Sequence, residues 1–178
     1  MEEKKIQLVA QEAAYQNAFL EMVQDYQQAG ELTFLPFLRH HLSFESFLER
    51  IELMKDPQRV PEGMVPESGF WLLEGDAEHG RLLGEIRIRH ILNEFLLQEG
   101  GHIGYTIRPS ARRMGYGSLQ LRLALPLARD LGIQRALVTC NTENIGSARI
   151  IEQNGGVLEN QVISANTGKQ ISRYWITL

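Results

Sequence analysis

The chain has 178 residues, 43% of them hydrophobic and 22% charged, with a formal net charge of -4. That length suits one domain with a sizeable core, spanning 1–178, and that balance excludes a disordered or low-complexity chain. A negative net charge argues against nonspecific nucleic-acid binding, and the lone cysteine, Cys140, excludes an internal disulfide and a cysteine-rich zinc site. The opening MEEKKIQLVA lacks the apolar run of a secretory signal and no window has the length of a membrane span, so a cytoplasmic protein with no membrane partner and no metal is expected.

Alternation over residues 5–9 predicts a first strand, and residues 15–28 a helix ended near Gly30. A second helix is expected to start at Ser43 or Ser46. Ser46 has the capping-box spacing to Glu49, and Phe44, Phe47, Leu48 and Ile51 form an apolar stripe that should stop before Pro57. Residues 57–69 read as a loop, 69–74 as a strand, 76–80 as a hairpin turn, and 81–91 as the next strand. In that strand Ile86 and Ile88 face one way, while Glu85, Arg87 and Arg89 face the other.

Residues 101–108 form a further predicted strand, ended by Pro109. Residues 118–131 read as an amphipathic helix through Leu121, Ala124, Leu125 and Ala128, in which Pro126 removes the bond to the Arg122 carbonyl and predicts a kink. Residues 135–140 follow as a strand, 143–153 as a short helix, and 157–164 and 171–178 as two last strands. The order implies a mixed sheet with helices packed on it, an α/β layered domain. Trp71, Phe34, Phe37 and Phe44 are expected in its core.

Charge is unevenly spread. Residues 81–135 carry nine arginines against Glu85, Glu94, Glu99 and Asp130, so this stretch is +5 and the remainder -9. Within it, Arg112-Arg113-Met114-Gly115-Tyr116-Gly117 lies between a strand and a helix. A helix N-terminus presents unpaired N–H groups and a partial positive charge, which receive phosphates without a special side chain. Gly115 and Gly117 lack the Cβ that would block close approach, and Arg112 and Arg113 add charge-assisted donors, so the implied ligand is a diphosphate. No Walker pattern is present and Gln120 stands where a dinucleotide loop has its third glycine, which disfavours nucleotide triphosphates and NAD.

The succession of strand, Arg112-x-x-Gly115-x-Gly117, helix, strand and Asn144 opening another helix resembles the GNAT superfamily of N-acetyltransferases over residues 82–178. The run Gly100-Gly101-His102-Ile103-Gly104-Tyr105, with Arg89-His90 and Leu92-Asn93, is also similar to a bacterial subgroup of predicted acetyltransferases. The resemblance implies a mostly antiparallel central sheet with helices on both faces, and transfer of an acetyl group from acetyl-CoA to a primary amine of a small molecule or peptide. It further implies coenzyme contacts at Tyr105, Ile107, Arg112, Arg113, Met114, Gly115, Tyr116, Gly117, Ser118 and Asn144. Asn144 has a structural alternative as a helix N-cap. The family often places a proton-donating tyrosine where this chain has Ile151, leaving Cys140, Tyr105, Tyr174 or water for that step.

Attack on a thioester needs a neutral amine and hence a proton acceptor. His102 is the first candidate, because an imidazole pKa of about 6.5 suits the task; Glu85 is the second. Arg89, His90 and Asn93 are candidates for holding a polar or carboxylate group of the acceptor, with an ion pair for Arg89 and a capped turn for Asn93 as structural alternatives. A coenzyme A-binding module without transfer activity is the competing reading, and homodimerisation and the acceptor's identity stay open.

Overall fold

Residues 5–32 and 35–178 are described by a computed structural model. Phe34, expected in the core, lies outside the described residues. The elements in chain order are β1 (Ile6–Ala10), α1 (Gln16–Gln28), α2 (Pro36–Arg39), α3 (Phe44–Lys55), β2 (Glu67–Glu74), β3 (Arg81–Arg89) and α4 (Glu94–Gln98). They continue with β4 (Ile103–Ile107), α5 (Tyr116–Asp130), β5 (Arg135–Asn141), α6 (Ile145–Gln153), β6 (Val157–Ile163) and β7 (Gln170–Thr177). The strands make one seven-stranded sheet in the order β1-β2-β3-β4-β5-β7-β6. Every pairing is antiparallel except β4 with β5.

Period-two alternation decides which helices cover which face. Ile86, Ile88 and Ile103 pack under Leu121, Ala124 and Ala128 of α5 and Ile151 of α6. On the opposite face Trp71 and Leu73 meet Phe19, Met22 and Tyr26 of α1 with Phe44, Phe47 and Ile51 of α3. Phe19 stacks on Phe47 at 5.1 Å between ring centroids, an arrangement adding about 0.5–1.5 kcal/mol to the area it buries. Helices therefore sit on both faces, as expected, and Trp71, Phe37 and Phe44 belong to the second core.

Some boundaries differ from the sequence reading for local reasons. Ser43 caps α3, its Oγ accepting from Ser46 N–H at 3.1 Å, so the hydroxyl of Ser46 is not the cap. The short helices α2 and α4 fall in stretches to which the sequence reading assigned no element, because one helical turn shows no periodicity. Helix α5 starts at Tyr116 and runs through Pro126. Pro126 and Arg122 are both exposed, which leaves the unpaired carbonyl on the wet side.

Candidate active site

The alternation of hydrogen-bonded pairs along β3 and β4 aims the backbone. Arg89 N–H donates to His102 O at 2.7 Å and Arg108 N–H to Leu83 O at 2.9 Å. In the register that pairs Glu85 with Thr106, this turns the polar groups of Gly104 and Thr106 toward β3, and those of Tyr105 and Ile107 toward β5. Strand β5 meets β4 in register only at Ile103 and Val138, so beyond that point Tyr105 and Ile107 face an opening between splayed strands. The opening belongs to a cavity of about 670 Å³ floored by Tyr105, Thr106 and Ile107.

The N-terminus of α5 borders this cavity. Its N-cap is Gly115, at φ 84°, where glycine is the residue that adopts the conformation without strain, and no side chain caps the helix. The first-turn N–H groups are thus left for a ligand. A Cβ on Gly117 would stand 2.6 Å from Ile150 Cδ1, so a side chain there would have to displace the end of Ile150 at the seam of α5 and α6. Arg113, itself in the left-handed region at φ 63°, lines the cavity, as does Ser118. Asn144 caps α6, its Oδ1 accepting from Ser147 N–H at 3.1 Å, and it also lines the cavity.

Other members of the expected diphosphate set are employed differently. The Arg112 guanidinium lies against Glu31, with N–O distances of 2.6 and 2.5 Å, and its Nε donates to Ile107 O at 3.0 Å. These hydrogen bonds hold the Glu31 carboxyl below its ordinary pKa. Arg112 still borders the cavity, but as a strut between the loop and the end of α1. Arg108 makes a second strut through Asp25, at 2.7 Å. Tyr116 packs with Leu72 and Leu83 on the far side and donates to Glu74 Oε1 at 3.2 Å; Met114 is exposed. Arg149 and Gln153 of α6 line the cavity instead. The sequence carried a signal for them, since both follow Asn144 on the helix it opens.

Tyr105 projects toward α6, where its hydroxyl lies 2.9 Å from Ser147 Oγ, and burial pushes its pKa up to about 12. Ile151, at the position where the family often has tyrosine, is fully buried in the core. Burial also raises the Cys140 thiol.

A second cavity, of about 400 Å³, lies on the α1–α3 face of the sheet. Glu85 reaches it from β3 while only 3% exposed, and its Oε2 has no hydrogen-bond partner. Burial raises the Glu85 pKa; the Arg87 charge, with Nε 3.4 Å from Oε1, pulls the other way. Arg87 and Arg89 share Glu67 at 3.7 and 3.8 Å. Arg89 also donates to the Gly100 and Gly101 carbonyls at 3.0 Å, and burial pushes its pKa down to about 10. Asn93 lines the cavity while its Oδ1 caps α4 through Leu96 N–H at 2.9 Å. Arg39 and Arg50, which were not singled out in the sequence, complete the wall. Arg50 had a signal: it lies between Phe47 and Met54 at helical spacing, on a side that is otherwise apolar.

Like Met114 and Tyr116, two more expected residues, His90 and His102, lie outside both cavities. The His90 ring is 2.9 Å from Ser68 Oγ, and His102 is buried with Nδ1 accepting the Leu137 N–H at 2.9 Å. With Nδ1 occupied, neutral His102 carries its proton on Nε2 and has no free lone pair. Desolvation lowers its pKa further. Among the described residues no group of His, Cys, Asp and Glu is placed to hold a metal, and no helix is long and apolar enough to cross a membrane.

The uncapped helix, the open strand edge and the flanking Arg113 and Arg149 fit a ligand with a diphosphate and an extended amide-bearing arm. Residues 8–157 match the family model described as an acetyltransferase (GNAT) domain. No curated protein matches the chain. Solved structures share its fold. RimL, a ribosomal alpha-N-protein acetyltransferase in complex with coenzyme A, is 18% identical with a TM-score of 0.68, over 97% of this chain and 94% of that one. The microcin self-immunity acetyltransferase MccE, in complex with acetyl-CoA and AMP, is 13% identical with a TM-score of 0.70, over 98% and 93%. A chimera of spermidine N-acetyltransferase SpeG from Vibrio cholerae and hSSAT is 16% identical with a TM-score of 0.64, over 97% and 95%. With the model match covering most of its length, the chain belongs to the GNAT family and is an acetyl-CoA-dependent N-acetyltransferase.

Proposed function

We propose that residues 1–178 act as one acyltransferase domain that acetylates a primary amine of a small molecule or a peptide, with Glu85 rather than His102 as the proton acceptor. The observation that carries this reading is the direct pairing of Glu85 with Thr106 across β3 and β4. The side chains of Glu85 and Thr106 share the α1–α3 face, where the Thr106 hydroxyl meets that of Tyr26 at 2.7 Å, while Thr106 also borders the coenzyme cavity, so an amine and a thioester can be brought to adjacent strands.

Burial keeps Glu85 basic for a carboxylate, and its side chain borders the cavity in which an ammonium would sit. Acetyl-CoA supplies the activated acetyl group. Glu85 takes the ammonium proton, the amine nitrogen bonds to the acetyl carbon as the carbon–sulfur bond breaks, and the nitrogen's second proton passes to the departing thiolate, so that a neutral amide and coenzyme A thiol leave. The N–H groups of Tyr105 and Ile107, turned toward the splay, are the donors available to charge developing on the carbonyl oxygen. Tyr105, kept neutral by burial and steadied by Ser147, borders the coenzyme cavity and is a proton donor at hand for the leaving sulfur. Arg113, Arg149 and the first turn of α5 hold the diphosphate; Arg112 positions the loop through Glu31. The raised thiol of Cys140 supports direct transfer over an acyl-cysteine step.

Incubation with acetyl-CoA and a panel of amines, amino acids and peptides, followed by free-thiol detection, tests the reading. Release of thiol that depends on one acceptor class, with the acetylated amine seen by mass spectrometry, is expected. Acetyl-CoA binding without turnover of any acceptor would sink it.

A further inference from the structure

The acceptor-side cavity is charged in a way that the acetyl chemistry does not need. Arg39 from α2, Arg50 from α3, and Arg87 and Arg89 from β3 all reach it, against the two carboxylates Glu67 and Glu85. Both acids are already engaged: Glu67 by Arg87 and Arg89, Glu85 by Arg87. Among the described residues neither Arg39 nor Arg50 has a carboxylate within ion-pair distance. The Arg50 guanidinium has only a 3.8 Å contact to the Met64 sulfur.

These guanidiniums also act on one another. After desolvation, the Arg87 and Arg50 charges are the largest influences lowering the Arg39 pKa, and Arg87 and Arg39 both bear on Arg89. His40, beside them, is pushed down by burial and then by Arg39, Arg50 and Arg87, so it adds no charge near neutral pH. A cavity in a chain of net charge -4 is thus locally positive, the reverse of what a polycation would require. Like charges held together in a walled cavity are stabilised by an anion that pairs with them, and the planar fork of arginine suits carboxylate and phosphate alike.

We infer that the acceptor is a small amine that also bears an anionic group, a carboxylate or a phosphate, which Arg39 and Arg50 hold while its amine faces Glu85. The inference rests on the acetyltransferase reading and adds the substrate class. A cavity of about 400 Å³ is at the lower end for ligand sites, which run to roughly 300–1,000 Å³ and fit a molecule of amino-acid size or one end of a peptide.

Matched pairs test it. Amino acids are compared with their amides, O-phosphoethanolamine with ethanolamine, and all with spermidine, by kcat/KM at fixed acetyl-CoA. The charged member of at least one pair should be preferred by about tenfold or more, and the pair showing it distinguishes carboxylate from phosphate. An Arg39→Gln, Arg50→Gln double variant should shrink that preference to about twofold while its acetyl-CoA Kd and melting temperature stay those of the parent protein. Equal rates within every pair, a preference for spermidine, or a preference that survives the double variant overturns the inference and leaves acetyl transfer standing. Turnover of no panel member by protein that binds acetyl-CoA overturns it together with the enzyme reading. Absence of acetyl-CoA binding places the failure at the coenzyme site.

Discussion

The cavity on the α5–α6 face has backbone opening onto it, from the edge of β4 and the uncapped first turn of α5, beside side chains such as Arg113 and Arg149. The cavity on the α1–α3 face is walled by charged side chains from α2, α3, β2 and β3. Backbone groups recognise what every acetyl-CoA molecule shares, and they tolerate substitutions that keep the splay, the glycines and the flanking arginines. A side-chain site recognises what differs among acceptors and can be rewritten one residue at a time. The two meet at the Glu85–Thr106 pair, where the general half of the enzyme touches the particular half.

The sharpest way to break that division is at Glu85. Glu85→Gln should lower kcat by about 10²–10⁴, the usual worth of a general base, with the acetyl-CoA Kd unchanged by calorimetry. The parent rate should rise with pH through a value above the ordinary 4.5, because the base must ionise and burial raises its pKa; the variant should lose that limb. Stability runs the opposite way. Between 4.5 and the raised native value, the folded protein binds more protons than the unfolded chain, so stability falls as pH rises through that window. Glu85→Gln should therefore melt at a higher temperature than the parent at pH 8.

Next in size is the backbone site. Gly117→Val places methyl groups where a Cβ would already lie 2.6 Å from Ile150 Cδ1, between the two helices that flank the diphosphate. Acetyl-CoA affinity should drop about 100-fold by calorimetry, while the preferences among acceptors that still turn over should be retained. A change in acceptor preference would mean that the two halves are not separable.

This division also accounts for what could be read in advance. The coenzyme frame is contiguous: residues 101–118 supply the strand, the glycines and the helix start, and Asn144 marks the neighbouring helix, so spacing along the chain is spacing in space. Alternation likewise exposed Glu85, Arg87 and Arg89 as one row, and the structure keeps them on one face. Arg39 and Arg50 were not legible as a pair, because only the packing of α2 and α3 over β2 and β3 brings them to Glu85. The partners of side chains in the glycine loop were not legible for a different reason. Composition cannot tell that Arg112 is drawn to Glu31, or that Tyr116 turns inward to Glu74.

Arg112 separates a strut from a direct ligand. Acting through Glu31, it positions the loop, so Arg112→Gln and Glu31→Gln should each raise the KM for acetyl-CoA by about fivefold with little change in kcat. Were Arg112 instead a phosphate donor held back by its partner, Glu31→Gln would release it and lower that KM. Opposite signs from the two variants would return Arg112 to the diphosphate.

The smallest effect on activity is expected at His102, the residue whose type alone suggests a base. Its Nδ1 is the acceptor for Leu137 N–H just before β4 and β5 part at Ile103 and Val138, so it fixes where the splay begins. An asparagine offers an oxygen near the same place. His102→Asn should keep kcat within about threefold and keep the acid limb of the pH profile, if that limb is the ionisation of Glu85 proposed above. His102→Ala leaves a buried N–H unpaired and should cost about 1–3 kcal/mol in denaturant unfolding, again without moving the limb. Loss of the limb in His102→Asn, with folding intact, would give the proton to the imidazole and reduce Glu85 to an ion-pair partner of Arg87.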